Sequence, residues 1–154
     1  MAAPFICYFT YTGNSKKIAE TVQAYIGGNT VEIRATTPYS SNYQTTVKQA
    51  QQEHNDLSYP AITIPAINWA SFNNLILVFP NWYDSIPRPV ATFFKQADLK
   101  GKNVICLVSN SSSGTGDCIT DLHDVNDESE TIDGISVSDP SWTGYVDVVK
   151  SDLN

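Results

Sequence analysis

Three apolar runs of strand length stand out along the chain: Phe5 to Phe9 (FICYF), Leu75 to Phe79 (LILVF) and Val104 to Val108 (VICLV). Each is rich in β-branched or aromatic residues, and none alternates with polar ones. A continuous run predicts burial on both faces, as in the central strands of a parallel sheet covered by helices. Two weaker segments do alternate. Thr30 to Arg34 sets Val31 and Ile33 on one face, and Gly134 to Ser138 does the same with Ile135 and Val137. Alternation suits edge strands with one solvated side.

Helical spacing fills the gaps between these strands. From Ser15 onward, Ile18, Ala19, Val22, Tyr25 and Ile26 recur on one face, and Gly27 and Gly28 end the pattern. Tyr43, Val47 and Ala50 predict a second helix over Ser41 to His54. Pro89, Val90, Phe93, Phe94 and Ala97 predict a third, with proline in its first turn. A short fourth is expected over Asp117 to Val125, and a last one carries Trp142, Tyr145, Val146 and Val149. Strands and helices therefore alternate. Right-handed crossovers then give an α/β fold with three layers: a doubly wound, five-stranded parallel sheet of order 2-1-3-4-5. Residues 1–154 read as one domain, without repeat or linker. The polar stretch Asn55 to Asn68 is the least regular part and reads as a surface excursion.

Composition narrows the function classes. The 154 residues are 42 % hydrophobic, enough for a core, and only 16 % charged. A formal net charge of −7 argues against non-specific nucleic-acid binding and against docking to an anionic membrane. No apolar run approaches the length of a membrane-spanning helix, and the N-terminus lacks a signal-peptide pattern. Three cysteines without CxxC spacing (Cys7, Cys106, Cys118) predict reduced thiols and a cytoplasmic location. Cys7 and Cys106 fall inside strand runs as small hydrophobes, whereas Cys118 near a helix start is expected to be the more reactive. His54 and His123 have no metal-ligand partner at helical spacing, and His123 reads as a surface residue. The acidic run Asp124 to Asp133 reads as a solvated connection.

In an open parallel sheet, ligands bind beyond the carboxyl ends of the strands, at the point where the strand order reverses. Three unusual loops leave the buried strands there. The first, Thr10 to Ser15 (TYTGNS), offers hydroxyls, an amide and backbone N–H groups at the start of a helix. That combination binds phosphate. It is neither a Walker A loop nor a GxGxxG fingerprint. A plain cap, with Asn14 or Ser15 capping and Gly13 turning, is the alternative, although one residue suffices for that. Lys16 and Lys17 then follow, where the helix dipole disfavours cations. The second loop, Pro80 to Pro87 (PNWYDSIP), carries Trp82 and Tyr83, which either stack on a flat ligand or cover the core. The third, Ser109 to Asp117 (SNSSSGTGD), is rich in small residues, which by themselves fit a solvated loop better than the close backbone approach they also allow.

Taken together, TYTGNSKKIAE, FPNWYDSIPRPVATFF, DLKGKNV and SNSSSGTGD resemble the flavodoxin-like family in its short-chain form, in order, in spacing and over most of the chain. The resemblance implies non-covalently bound FMN, flavin redox chemistry and the strand order argued above. It implies that Thr10, Thr12, Gly13, Asn14 and Ser15 form the phosphate loop, with Tyr11 contributing its backbone N–H. It places Pro80, Asn81, Trp82 and Tyr83 beside the ribityl chain and the isoalloxazine, with Trp82 as the stacking ring. Ser109, Asn110, Ser111, Ser112, Ser113, Gly114 and Gly116 would follow the pyrimidine edge.

Two departures from the family pattern matter. Asp84 stands where the family often has glycine. Aspartate tolerates unusual backbone angles, and its carboxylate near a flavin would disfavour added negative charge there. The third loop also lacks an aromatic to cover the second flavin face, which would leave room for a nicotinamide or quinone. The expected roles are thus an electron shuttle for a redox partner protein, or a small NAD(P)H-dependent oxidoreductase with quinone-like acceptors. The chain is expected to act as a monomer or homodimer. A non-catalytic accessory protein on the same fold is the rival from another class. No general acid, base or metal ligand is assigned.

Overall fold

The structure is a computed structural model, and it describes residues 4–109 and 115–137. The elements run β1 (Phe5–Tyr8), α1 (Asn14–Ile26), β2 (Asn29–Glu32), β3 (Arg34–Ala35), α2 (Tyr43–Asp56), β4 (Ile62–Thr63), a 3-10 turn (Trp69–Ser71), β5 (Asn74–Pro80), α3 (Arg88–Gln96), β6 (Asn103–Ser109), α4 (Cys118–Val125) and β7 (Thr131–Ser136). The main sheet is parallel throughout, in the order β2-β1-β5-β6-β7. With the two-residue strands β3 and β4 set aside, this is the predicted 2-1-3-4-5. The expected C-terminal helix with Trp142, Tyr145, Val146 and Val149 lies outside the described residues.

The continuous apolar runs are buried on both sides, for the reason their pattern predicts. One face of β1, β5 and β6 presents Cys7, Leu75, Leu77, Phe79, Val104 and Cys106, packed with Val90, Phe93 and Phe94 of α3 and Leu122 of α4. The opposite face presents Ile6, Tyr8, Ile76, Val78 and Leu107, packed with Ala19 and Val22 of α1. Burying a large aliphatic or aromatic side chain contributes roughly 1.5–3 kcal/mol, so these two layers dominate the stability.

Four local expectations are corrected. The strand expected over Thr30 to Arg34 breaks at Ile33. That residue is buried and still donates its N–H to the Tyr8 carbonyl (2.7 Å), but the chain then turns away. Arg34 and Ala35 pair antiparallel with Thr63 and Ile62 instead. The stretch Asn55 to Asn68 is therefore no loose excursion, since it contains β4 and is pinned to α3. Arg88 donates Nε–H to the Ser58 carbonyl (2.7 Å), and the Thr92 hydroxyl donates to the Pro60 carbonyl (2.7 Å). Coil carbonyls packed against a protein need such donors.

The helix expected over Ser41 to His54 forms, with Asn42 capping it by accepting from the Thr45 N–H (3.0 Å). It buries Thr46 and Ala50, however, whereas Tyr43 is 69 % exposed. The last strand begins earlier than Gly134, at Thr131, with Ile132 buried, and stops at Ser136. The acidic connection thus contributes half a strand, with Thr131 and Asp133 outward. Gly134 pairs with Cys106 in register, and a Cβ there would lie 2.8 Å from Ile119 of α4.

Candidate functional site

The first two loops and the described ends of the third, Ser109 and residues 115–117, converge at the carboxyl ends of β1, β5 and β6, and backbone and hydroxyl contacts lock them together. Gly13 caps α1 with a left-handed φ of 95°, and its N–H donates to the Thr10 hydroxyl (2.9 Å). Open space surrounds the place of its missing Cβ, so the dihedral alone calls for glycine. Asn14 and Ser15 lie inside the helix and do not cap it, and no side chain bonds the cap. The first turn holds no acidic residue either. A helix start has N–H groups that no intrahelical carbonyl reaches. Here the cap residue, Gly13, offers them no side chain, and its own N–H is taken by the Thr10 hydroxyl; a helix start of this kind can receive an anion. Thr12, Asn14, Lys16 and Lys17 are exposed around this start, and Thr10 and Tyr11 are half-buried.

Ser15 has a different task from a cap. Its hydroxyl is buried and shares a hydrogen bond with the buried Ser109 hydroxyl (2.7 Å), joining the first loop to the end of β6. The Ser109 carbonyl in turn accepts from the Asn81 N–H (3.0 Å), joining the second loop to the third. Asn110, Ser111, Ser112, Ser113 and Gly114 lie outside the described residues.

The second loop turns back on itself directly after Pro80. Trp82 and Ser85 exchange two backbone hydrogen bonds (3.0 and 3.1 Å). The two residues between them, Tyr83 and Asp84, both sit in the left-handed region, at φ 58° and 56°. Two left-handed central residues mark the tight hairpin of the I′ kind. Asp84 therefore does sustain the turn that glycine often makes. Tyr83 is a costly residue there, by roughly 1–2 kcal/mol. Its hydroxyl donates to the Val47 carbonyl (3.1 Å), and its ring stacks on His54 at 5.8 Å, which holds it in place.

This turn also meets the third loop. The Asp84 carbonyl accepts from the Asp117 N–H (2.7 Å). Gly116 lies so close that a Cβ would stand 2.8 Å from that carbonyl oxygen, and its φ of 54° is left-handed as well. The Ser85 hydroxyl donates to the Asp121 carboxylate, which adds a tie to α4.

Trp82 covers the core, which is one of its two readings. Its ring packs against the core and meets Phe9 (5.4 Å) and Tyr39 (5.5 Å) nearly at right angles. It also remains half-exposed and lines a cavity of about 270 Å³ with Tyr11, Tyr43, Val47, Asn81 and Tyr83. Sequence reasoning missed Tyr39 in this cluster. Its hydroxyl donates to Glu53 (2.5 Å), and burial together with that carboxylate pushes its pKa up. A second cavity of about 570 Å³ opens on the other side of the first loop. Neither residue pattern nor motif pointed to it.

Cys118 is corrected. It is fully buried at the start of α4, and burial, reinforced by Asp121, Asp84 and Asp117, pushes its thiol up to about 12. It is therefore an inert thiol. His123 is exposed and bonds Asp127 through Nδ1 (2.6 Å). No group of metal-binding side chains occurs among the described residues, and none of their helices is long and apolar enough to cross a membrane.

The order of the strands and the helices packed on both faces of the sheet define a doubly wound α/β protein. The flavodoxin family model matches residues 4–142, and the chain belongs to that family. Solved structures agree in fold. A protein of Bacteroides eggerthii assigned as a flavoprotein superposes with a TM-score of 0.84 at 25 % identity, over 96 % of this chain and 98 % of its own. A second, from Bacteroides uniformis, gives 0.80 at 23 %, over 88 % and 90 %. A flavoprotein of Lactobacillus acidophilus, solved in complex with FMN, gives 0.79 at 16 %, over 94 % and 99 %. No curated protein matches the chain.

Proposed function

We propose that the chain binds FMN non-covalently at the three-loop corner and serves as a redox protein. The observation that carries this reading is the start of α1, which Gly13 caps without a side chain, fixed to the other two loops through Ser15, Ser109 and Asn81. The donor set fits the cofactor. Backbone N–H groups after Gly13 and the hydroxyls of Thr10 and Thr12 would hold the phosphate. Asn81, Trp82 and Tyr83 would flank the ribityl chain and ring, and the backbone of the Asp84 turn and Gly116 would line its edge. Bound there, FMN supplies the electron-transfer chemistry, and the protein supplies placement and field.

The chain's own contribution is electrostatic and steric. The helix start and the two exposed lysines favour the phosphate dianion. The Asp84 carboxylate opposes further negative charge on the ring side. The acidic surface would steer basic patches of a partner protein. Electrons would pass to such a partner or between a nicotinamide and a quinone-like acceptor, in a monomer or homodimer.

Titration of the apoprotein with FMN, followed by tryptophan fluorescence and flavin absorption, tests the cofactor. Quenching with a saturable flavin spectrum is expected. A colourless protein whose fluorescence ignores FMN would favour the accessory-protein reading and end this one. Rapid mixing of the FMN-loaded protein with NADH or NADPH then separates reductase from shuttle. Flavin bleaching no faster than that of free FMN removes the reductase role.

A further inference from the structure

The cavity beside the first loop has the chemistry of a nucleoside site. About 570 Å³ in volume, it opens beyond the carboxyl ends of β1 and β2. That size is ample for a ligand the size of a nucleoside. Its walls include Thr10 and Thr12 of the phosphate loop, Glu32 at the end of β2, Arg34, Tyr39 and Ser41. The cavity is pre-formed. The Tyr11 hydroxyl donates to the Ser40 carbonyl (2.7 Å) across one side, and the bond from Tyr39 to Glu53 fixes the ring on the other.

Glu32 is the informative residue. It is half-buried, and its Oε1 accepts from Arg34 Nη2 (3.2 Å) and, at longer range, from the Tyr8 hydroxyl (3.5 Å). Its Oε2 has no donor among the described residues. In the dinucleotide-binding class of open parallel sheets, an acidic residue at the end of the second strand accepts hydrogen bonds from ribose hydroxyls. The phosphate of the same ligand then rests on the first loop between strand and helix. Glu32 holds that place relative to Gly13.

From this we infer that the cavity is an adenylate subsite, with Glu32 accepting from the ribose 2′,3′-diol and the Tyr39 ring beside the base. The inference rests on the phosphate position of the proposed flavin site. One ligand chemistry has two sources here. The adenylate is either the second half of FAD bound in place of FMN, or part of a separate nicotinamide dinucleotide beside bound FMN, whose phosphates would then lie outside the first loop.

Calorimetric titration of the apoprotein with FMN and FAD, and of the FMN-saturated protein with ADP-ribose, separates these sources. Glu32→Gln is expected to weaken FAD or ADP-ribose about tenfold, the effect of losing a charged hydrogen bond, and to leave FMN within about twofold. Unchanged FMN binding also shows that the variant folds. An effect on FAD alone assigns the cavity to the cofactor, and an effect on ADP-ribose alone assigns it to a second dinucleotide. Equal losses for FMN and FAD overturn the inference. So does binding that ignores the substitution, or the failure of both adenylate ligands to bind. If FMN itself does not bind, the flavin reading fails separately, and AMP titrated onto the apoprotein then decides the cavity. AMP binding that Glu32→Gln weakens supports the subsite, and its absence overturns it.

Discussion

Ser15 and Ser109 stand 94 positions apart in sequence, and their buried hydroxyls share a 2.7 Å hydrogen bond. This contact closes the first loop onto the end of β6. Replacing Ser109 with alanine strands the Ser15 hydroxyl in a dry place. An unsatisfied buried hydroxyl costs about 1–3 kcal/mol. Ser109→Ala and Ser15→Ala should each destabilise by that order in urea unfolding, and the double variant by clearly less than their sum. Strict additivity would show that the two hydroxyls act independently.

Two glycines should respond differently to alanine. Gly13 has open space around it and a left-handed φ of 95°, so Gly13→Ala should cost only the dihedral strain, roughly 1–2 kcal/mol. Gly116 shares the strain but also abuts the Asp84 carbonyl at 2.8 Å. Gly116→Ala should therefore displace the second loop and lower FMN affinity by about tenfold or more, which is about 1.4 kcal/mol or more. Calorimetric titration of both variants checks this. Equal FMN affinities would dismiss the close approach as unimportant to binding.

Lys16 and Lys17 sit exposed at a helix start that disfavours cations. A doubly charged phosphate at that start would reverse the local field. Replacing both with glutamine should weaken FMN binding a few-fold at low salt, and by less where salt screens the charges. An affinity unchanged at low salt would make them ordinary surface residues.

All three thiols are free and buried, and burial raises the pKa of each; that of Cys118 rises from an ordinary 9.0 to about 12. Above pH 9 the unfolded chain therefore loses thiol protons that the folded chain keeps. The stabilisation present below that pH is lost as pH rises toward 12. Urea midpoints should fall across this alkaline range. A thiol reagent at pH 8 should label the native protein slowly and the unfolded protein at three sites. Rapid labelling of native Cys118 would contradict its burial.

Much of the fold was legible because burial on two faces leaves a mark that needs no partner to read. FICYF, LILVF and VICLV could satisfy their apolar side chains only between helical layers, and that fixed the centre of the sheet. Edges were harder. Val31 and Ile33 do face one layer, but nothing local shows the chain leaving β1 after Ile33 to pair with Ile62. A two-residue pairing is decided by what lies beside it. Tyr43 fits a helical stripe and yet faces outward, because at that turn the core receives Thr46 and Ala50 instead.

The sequence by itself determined the layer order, the switch point and the three loops, since strand runs, helix periods and turn residues are local properties of a chain. Only the tertiary structure decided how those loops are joined. Ser15 reads as a ligand or, less readily, as a cap until Ser109 is seen against it. Asp84 reads as a misfit until its left-handed turn and the approach of Gly116 are seen. Glu32 carried no signal at all, because a cavity is made by the space between segments, and no segment encodes it alone.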